Sequence, residues 1–264
     1  MLRESKREDW DGFWKRDREL DEIYDNDDRI AVEARRILDL DGMRVLEVGA
    51  ATSRDSVSLA LLGARPVALD YSTEALGRAK TATRSSSIDL VCGDGRSLPF
   101  QGHSFDLVFH QGLLEHFRDP RPMLRENARV LKPGGILLVD VPQTFHAYTL
   151  IKKMLILVNA WFAGWETQFT KPELERLLWE AGLEPFAAYG RFFAPSLAYR
   201  ILRELLLRLG LKLPLRPVLI PPLHKLRARA RRAVERSLLG PRLGSVIGVF
   251  ARKPENADHP GGGG

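Results

Sequence analysis

The chain has 264 residues and a hydrophobic content of 44%, enough for one α/β domain with insertions. Its single cysteine, Cys92, excludes an intrachain disulfide framework and is typical of a reducing compartment. The purest apolar window, residues 154–165, is shorter than the roughly 20 residues that span a bilayer. The charged N-terminus lacks the apolar core of a signal peptide. We therefore expect a cytoplasmic protein that does not cross a membrane.

The charge is unevenly distributed along the chain. The net charge is +6, but residues 190–244 hold 13 Lys and Arg against 2 Asp and Glu, a balance of +11 that leaves −5 for the rest. The basic character therefore belongs to one segment and needs a local explanation.

Residues 1–41 form a charged N-terminal segment with helical character. Its aromatic side chains are Trp10, Phe13, Trp14 and Tyr24. Two roles remain open for them: closing over a ligand, or pinning a helix to the core.

The stretch 44–60 predicts a strand, a tight turn and a helix. Val45 to Val48 is a short apolar run, as expected for a buried parallel strand. Gly49-Ala50-Ala51 then turns the chain with three small residues, and Thr52 and Ser53 are good helix-capping types. A strand followed by such a turn and a helix N-terminus predicts a nucleotide-cofactor crevice.

The rest of the chain continues the alternation of strands and helices. Further strands are predicted at 66–70, 88–91, 105–109, 136–141, 185–193 and 246–252, with helices at 72–83, 122–131 and 170–181 and a turn at 132–135. About seven strands alternating with helices predict an α/β fold, a Rossmann-like doubly wound sheet.

Two segments interrupt this alternation and are predicted as helical cap insertions, at 143–168 and 194–243. The domain organisation expected from these boundaries places a cofactor-binding domain at 42–193 and 244–253. The N-terminal segment 1–41 precedes it, and a disordered tail at 254–264 follows.

Several motifs occur in a fixed order. They are VLEVGAATSRD, ALDYS, VCGDGRSLPF, SFDLVFHQGLLEHF, VLKPGGILLVDVP and FTKPELERLLWEAGLE. Together they resemble the class I S-adenosylmethionine-dependent methyltransferases, in particular the broad type 11-like group with an L-E-H segment after the fourth strand. The resemblance covers roughly residues 40–190 plus the last strand, and it implies S-adenosyl-L-methionine as cofactor.

The residues at the strand ends suit this cofactor. Gly49 lets the backbone approach a ligand because it has no Cβ, and Asp70 can accept hydrogen bonds from two ribose hydroxyls. The resemblance implies that Glu47 helps to hold the amino-acid end and that Asp94 accepts from the adenine amino group. The full predicted cofactor set is Glu47, Gly49, Ala50, Ala51, Asp70, Tyr71, Gly93, Asp94, Gly95, His110 and Gln111.

A second cofactor, NAD, is compatible with part of the pattern at the glycine loop. Asp70 would also suit NAD, but dehydrogenases lack the combination of Asp94 with the following Leu98-Pro99-Phe100. The loop carries Ala51 and Ser53 where the family usually has glycines, which predicts a slightly tighter site.

The catalytic residue is harder to name. Methyl transfer from a sulfonium depends largely on positioning, and a base is needed only for a poorly ionised acceptor. The candidate bases are His110, His146 and Tyr148, whereas His116 is interpreted as a histidine that fixes its loop. No His, Cys or Asp spacing indicates a metal site.

The basic segment predicts amphipathic helices at 195–209 and 223–238 around an apolar, proline-rich loop. Three roles remain open: a cap whose leucines pack on the sheet, peripheral docking of 196–240 on an anionic membrane, and nucleic-acid binding. Few aromatic residues are interleaved there, which disfavours RNA.

The sequence thus predicts an S-adenosylmethionine-dependent methyltransferase that acts on a small or lipid-like acceptor. The alternatives are an RNA methyltransferase that uses the basic 225–236 helix, and a non-catalytic S-adenosylmethionine-binding protein.

Overall fold

A computed structural model describes residues 6–15, 28–84, 87–144, 166–192, 197–214, 221–235, 237 and 239–255. The helices are α1 (Arg7–Trp14), α2 (Arg29–Ala34), α3 (Arg54–Ala60), α4 (Thr73–Ala82), α5 (Arg121–Val130), α6 (Lys171–Glu180), α7 (Leu197–Arg208), α8 (Pro221–Glu235) and α9 (Gly240–Leu243). A 3-10 turn spans Leu114–His116. The strands are β1 (Arg44–Val48), β2 (Arg65–Asp70), β3 (Asp89–Cys92), β4 (Phe105–Gln111), β5 (Leu131–Pro142), β6 (Glu184–Arg191) and β7 (Val246–Arg252).

The strands form one seven-stranded sheet in the order β3-β2-β1-β4-β5-β7-β6. Strands β1 to β5 pair in parallel, whereas β7 runs antiparallel to both β5 and β6. The strand order reverses between β1 and β4, which is where open α/β sheets place their ligands. The prediction of a doubly wound, Rossmann-like sheet is confirmed.

Helices cover both faces of the sheet. On one face, Met123 and Leu124 of α5 and Leu174 of α6 pack on the strands. On the other, Ile30 of α2 and Leu59 of α3 do so. The central strands are buried from both sides, which explains why they read as continuous apolar runs rather than alternating ones.

The predicted turn at 132–135 lies within β5. The strand begins at Leu131, directly after α5, and its register against β4 shifts between Phe105 and Leu107. Gly134, at φ +76°, supplies the backbone conformation that this irregularity needs. The Pro-Gly-Gly signal therefore marks a bulge inside a strand instead of a turn before it.

Helix α6, predicted at 170–181, has capping residues at both ends. The Thr170 hydroxyl accepts from the Glu173 N–H, and the Glu173 carboxylate accepts from the Thr170 N–H, which completes a capping box. Gly182 follows the helix at φ +77°. In the part of the chain that the structure describes, no helix combines the length and apolar character needed to cross a bilayer.

Candidate functional site

A cavity of about 410 Å³ opens at the carboxyl ends of β1 to β4, where the strand order reverses. Ten of the residues predicted to bind the cofactor line it: Glu47, Gly49, Ala50, Ala51, Asp70, Tyr71, Gly93, Asp94, Gly95 and Gln111. The structure thus brings together residues that are up to 64 positions apart in the chain.

The loop after β1 forms one wall and has a left-handed backbone at three of its residues. Gly49 lies at φ +72°, and a Cβ there would come within 2.8 Å of the Leu113 side chain. Ala51 at φ +49° and Ser53 at φ +58° also adopt the left-handed conformation, which L side chains disfavour. The family resemblance implies glycine at these two positions, so this loop keeps a glycine-type backbone without the glycines.

Asp70 ends β2 and is held in place by the backbone of two loops. Its Oδ2 accepts from the Ala51 N–H at 2.7 Å, and its Oδ1 accepts from the Ser72 N–H at 2.8 Å. Burial raises the pKa of Asp70, and these two backbone hydrogen bonds oppose the rise because they stabilise the charged form. Each carboxylate oxygen has lone-pair capacity for a further donor.

Asp94 follows β3 and forms an ion pair with Arg96. The Arg96 guanidinium donates to both carboxylate oxygens, with its terminal nitrogen 2.7 Å from Oδ2. The side-chain hydrogen bond from Arg96 lowers the pKa of Asp94, so this group is a charged acceptor. Arg96 also stacks on the opposite side chain Phe117, with its guanidinium carbon 5.7 Å from the Phe117 ring centre.

Two further carboxylates lie beneath the loop. Glu47 accepts from both the backbone N–H and the hydroxyl of Ser56, and Asp55 lines the cavity beside it. Burial raises the pKa of Glu47 well above its usual range, and the charge of Asp55 adds to that rise. Burial likewise raises the pKa of Asp55 to about 7, opposed by the positive charge of Arg29. This end of the cavity is suited to a cationic group.

Helix α1 covers the cavity from the side. Trp10 and Trp14 both line it, and Trp14 is buried. The helix is attached to α4 by a hydrogen bond from the Ser72 hydroxyl to the Asp11 carboxylate. Arg7 stacks over the Tyr71 ring at 5.5 Å. Trp10 and Trp14 therefore lie where they can close over a ligand, which is one of the two roles open for the N-terminal aromatic residues.

Of the three candidate bases, the structure describes only His110. His110 lies on β4 but is completely buried, does not line the cavity, and has no hydrogen-bond partner among the described residues. Burial lowers its pKa to about 3, so it is neutral. His146 and Tyr148 lie outside the described residues. The geometry therefore does not bring the His110 side chain to the site.

The residues of the cavity wall that sequence reasoning missed include Asp55 and Arg96. His116, interpreted from the sequence as fixing its loop, also lines the cavity. Arg96 could have been found, because it follows Asp94 by two positions with opposite charge. Within the described residues, no group of three or more His, Cys, Asp or Glu side chains is arranged to hold a metal ion.

Residues 46–139, which contain most of this wall, match the family model described as a methyltransferase domain. This part of the chain is a methyltransferase domain. The match confirms the predicted family, whose methyl donor is S-adenosylmethionine.

Two curated relatives resemble the methyltransferase domain. A demethylmenaquinone methyltransferase of Corynebacterium efficiens is 43% identical over 106 residues, which are 40% of this chain and 44% of that protein. A ubiquinone biosynthesis O-methyltransferase of Parvibaculum lavamentivorans is 27% identical over 161 residues, 58% of this chain and 63% of that protein. The chain thus spans less than two thirds of the length of either relative.

A solved structure extends the likeness over the whole fold. A chain from the complex between the Haloferax volcanii Trm112 methyltransferase activator and a methyltransferase aligns with a TM-score of 0.66 at 18% identity. The alignment covers 96% of this chain and 99% of that chain. At this level of identity the likeness concerns the fold alone.

Proposed function

We propose that this protein transfers a methyl group from S-adenosylmethionine to a small, lipid-like acceptor. The observation that carries the proposal is the set of three carboxylates, Glu47, Asp70 and Asp94, around one cavity beside the tight loop after β1. They stand at the ends of β1, β2 and β3, inside a methyltransferase domain.

The cavity residues fit this cofactor at three points. Each Asp70 oxygen accepts one backbone N–H and can accept a ribose hydroxyl in addition. Asp94, kept charged by Arg96, can accept from the adenine amino group. Burial disfavours the charged forms of Glu47 and Asp55, and the cationic amino-acid end would stabilise those charged forms when bound. A Cβ on Gly49 would come within 2.8 Å of the Leu113 side chain, so glycine lets the loop pack against Leu113 at this wall of the cavity.

The work of this chain is mainly binding, orientation and exclusion of water. When bound, S-adenosylmethionine supplies a methyl group on a positively charged sulfur, so much of the rate comes from positioning. Trp10 and Trp14 place an apolar wall over the cavity and limit access of water.

The acceptor class follows from the relatives and the surface together. The relatives are named for demethylmenaquinone and ubiquinone biosynthesis, which supports a quinol-like acceptor with an apolar tail. Helices α7 and α8 expose large apolar side chains: Leu205 is 54% and Leu226 is 64% exposed. Exposed leucines next to exposed basic residues favour docking on an anionic membrane, from which such an acceptor is taken.

In this basic arm, α7 to α9, the end of α8 and the short helix α9 are attached to the edge of the sheet. Glu235, near the end of α8, accepts from the Phe192 N–H at 3.0 Å and from Arg191 at 3.2 Å. A Cβ on Gly190 of β6 would overlap the Gly240 carbonyl, so α9 lies directly on the strand. A rigid attachment supports a docking surface with a fixed orientation to the cavity.

Vesicle flotation of the full-length protein tests the docking. We expect recovery with phosphatidylglycerol-containing vesicles, and loss of it in Arg227→Glu/Arg229→Glu. The matched control, Lys80→Glu/Arg84→Glu, changes the same charge at the end of α4 and should float like the wild type. Equal recovery of all three forms, or equal flotation with pure phosphatidylcholine, would contradict docking through the arm.

The catalytic proposal is tested by binding and label transfer. Isothermal titration should show S-adenosylmethionine binding, and methyl-labelled cofactor should label a quinol pool. Label that enters RNA instead assigns the function to the competing RNA methyltransferase, and binding without transfer to any pool indicates a non-catalytic binding protein. An absence of binding at millimolar cofactor would overturn all three.

A further inference from the structure

One histidine on the cavity wall has a carboxylate beside it. His116 ends the 3-10 turn after β4 and lines the cavity, and its Nδ1 lies 4.0 Å from Oε1 of Glu166. The two side chains are only 11% and 5% exposed. Their attraction is therefore weakly screened by solvent.

Two further contacts hold this pair in place. The Thr167 N–H donates to the Glu115 carbonyl at 2.7 Å, which holds the segment of Glu166 against the 3-10 turn. The Trp10 ring of α1 meets the His116 ring edge-to-face, with 4.8 Å between the ring centres. An imidazole held between a carboxylate and an aromatic ring has a defined orientation, which a loop-fixing histidine does not require.

We propose that His116 is the base that accepts the proton of the acceptor hydroxyl, and that Glu166 is its positioning residue. The inference rests on the function proposed above and names the group that acts in it. Because Nδ1 faces the carboxylate, Nε2 is the nitrogen that takes the proton.

The step balances within the chain and the acceptor. The acceptor O–H bond breaks and both of its electrons remain on oxygen, which becomes the nucleophile. The proton forms a new N–H bond on His116, and the resulting imidazolium is stabilised by the Glu166 carboxylate. Release of that proton to water restores the base. His110, buried away from the cavity, does not meet the geometric requirement for this step.

The charged groups near His116 set its expected titration. Glu166 faces it from the segment before α6, Glu115 belongs to its own turn, and Arg118 lies on the adjoining rim of the cavity. The α1 side chain packed on it, Trp10, carries no charge. Glu166 is therefore the dominant partner that favours the protonated imidazole.

Histidine NMR titration tests the pair without any turnover. The His116 signal is identified by its loss in His116→Gln. In Glu166→Gln we expect the pKa of His116 to fall by about one unit, as is typical when an opposite charge at this distance is removed. A purely structural Glu166 would leave that pKa in place, so an unchanged value would overturn the pairing.

Kinetics on the labelled quinol pool test the catalytic step. His116→Gln should lower kcat by about 10²-fold or more while cofactor affinity stays within a few-fold of the wild type. The pH at which kcat/KM rises should move to lower values in Glu166→Gln, because only the neutral imidazole accepts a proton. The control His103→Asn replaces an exposed histidine at φ +58°, where asparagine is well tolerated, and should match the wild type.

The experiments distinguish a failure of the proposed function from a failure of the role proposed for His116. If the wild type binds no cofactor or labels no acceptor, the proposed function fails, while the NMR titration still decides the pairing. If the wild type labels the quinol and His116→Gln does so at the same rate across pH, the function stands and the role of His116 is refuted.

Discussion

Ala51 stores conformational strain that a single substitution should release. Its φ of +49° lies in the left-handed region, which costs an L residue roughly 1–2 kcal/mol and costs glycine almost nothing. Its backbone N–H donates to Asp70 Oδ2, and this bond does not depend on the side chain. Ala51→Gly should therefore keep the loop and remove the strain.

The net gain is smaller than the strain itself. Glycine makes the unfolded chain more flexible, which costs about 0.4–1 kcal/mol. The difference leaves a stabilisation of about 0.5–1 kcal/mol. For a domain of this size such a change raises Tm by about 2 °C. Thermal unfolding followed by circular dichroism, together with urea titration, resolves it.

The neighbouring residue supplies a matched control. Ala50→Gly makes the same atomic change one position earlier, but Ala50 is buried and its φ is not positive. It should lose a buried methyl, worth about 0.8 kcal/mol, in addition to the entropic cost. The two variants should move Tm in opposite directions, and a fall of Tm in both would refute the strain argument.

Three further predictions concern the buried charges. Asp70→Asn should weaken S-adenosylmethionine binding by roughly 10–100-fold in isothermal titration, since a charge-assisted hydrogen bond contributes about 1.5–3 kcal/mol; exposed Asp89→Asn is the control. Asp55 has a folded-state pKa of about 7 against an ordinary 3.8, so it holds a proton in the folded protein over a pH range where it has lost it in the unfolded chain. The free energy of unfolding of the wild type should therefore fall between pH 4 and 7, by up to about 1.4 kcal/mol per pH unit. The fall should be less steep in Asp55→Asn. Arg29→Met should destabilise by about 3–5 kcal/mol in urea, because it leaves the Asp140 carboxylate buried without its ion pair.

Each of these has a contrary result. Equal cofactor affinity in the two aspartate variants would remove the ribose role of Asp70. Parallel stability curves across pH would mean that Asp55 does not hold a proton in the folded state. A loss below about 1 kcal/mol for Arg29→Met would place that pair among the weak surface-type ion pairs.

The fold was largely readable from local patterns. Apolar runs such as Val45–Val48 indicate the strands, and Thr170, a helix-capping residue type, stands at the start of α6. The composition of the Pro-Gly-Gly stretch before Ile136 predicts a turn. Only the pairing of β4 with β5, a contact between distant segments, makes it a bulge inside a strand.

The site was readable where a residue type and a strand end coincide. Asp70 and Asp94 follow strands β2 and β3, and parallel strands bring their carboxyl ends to one edge. The same reasoning could not tell which histidine reaches the cavity. His110 lies on a central strand that is buried on both faces, so the sequence shows no alternation that would tell where its side chain points. His116 lies six positions later, in the turn after that strand.

The uneven charge seen in the sequence has a physical counterpart in the fold. The acidic balance outside residues 190–244 includes the four acidic side chains at the cavity, Glu47, Asp55, Asp70 and Asp94, whose charged forms a bound cation stabilises. The cofactor proposed to bind there is cationic at both its sulfur and its amino group. The basic excess lies instead on an arm attached at the far edge of the sheet, next to β6. Separation of the two charges lets one chain attract a cation into the cavity and present cations to an anionic surface, without either group neutralising the other.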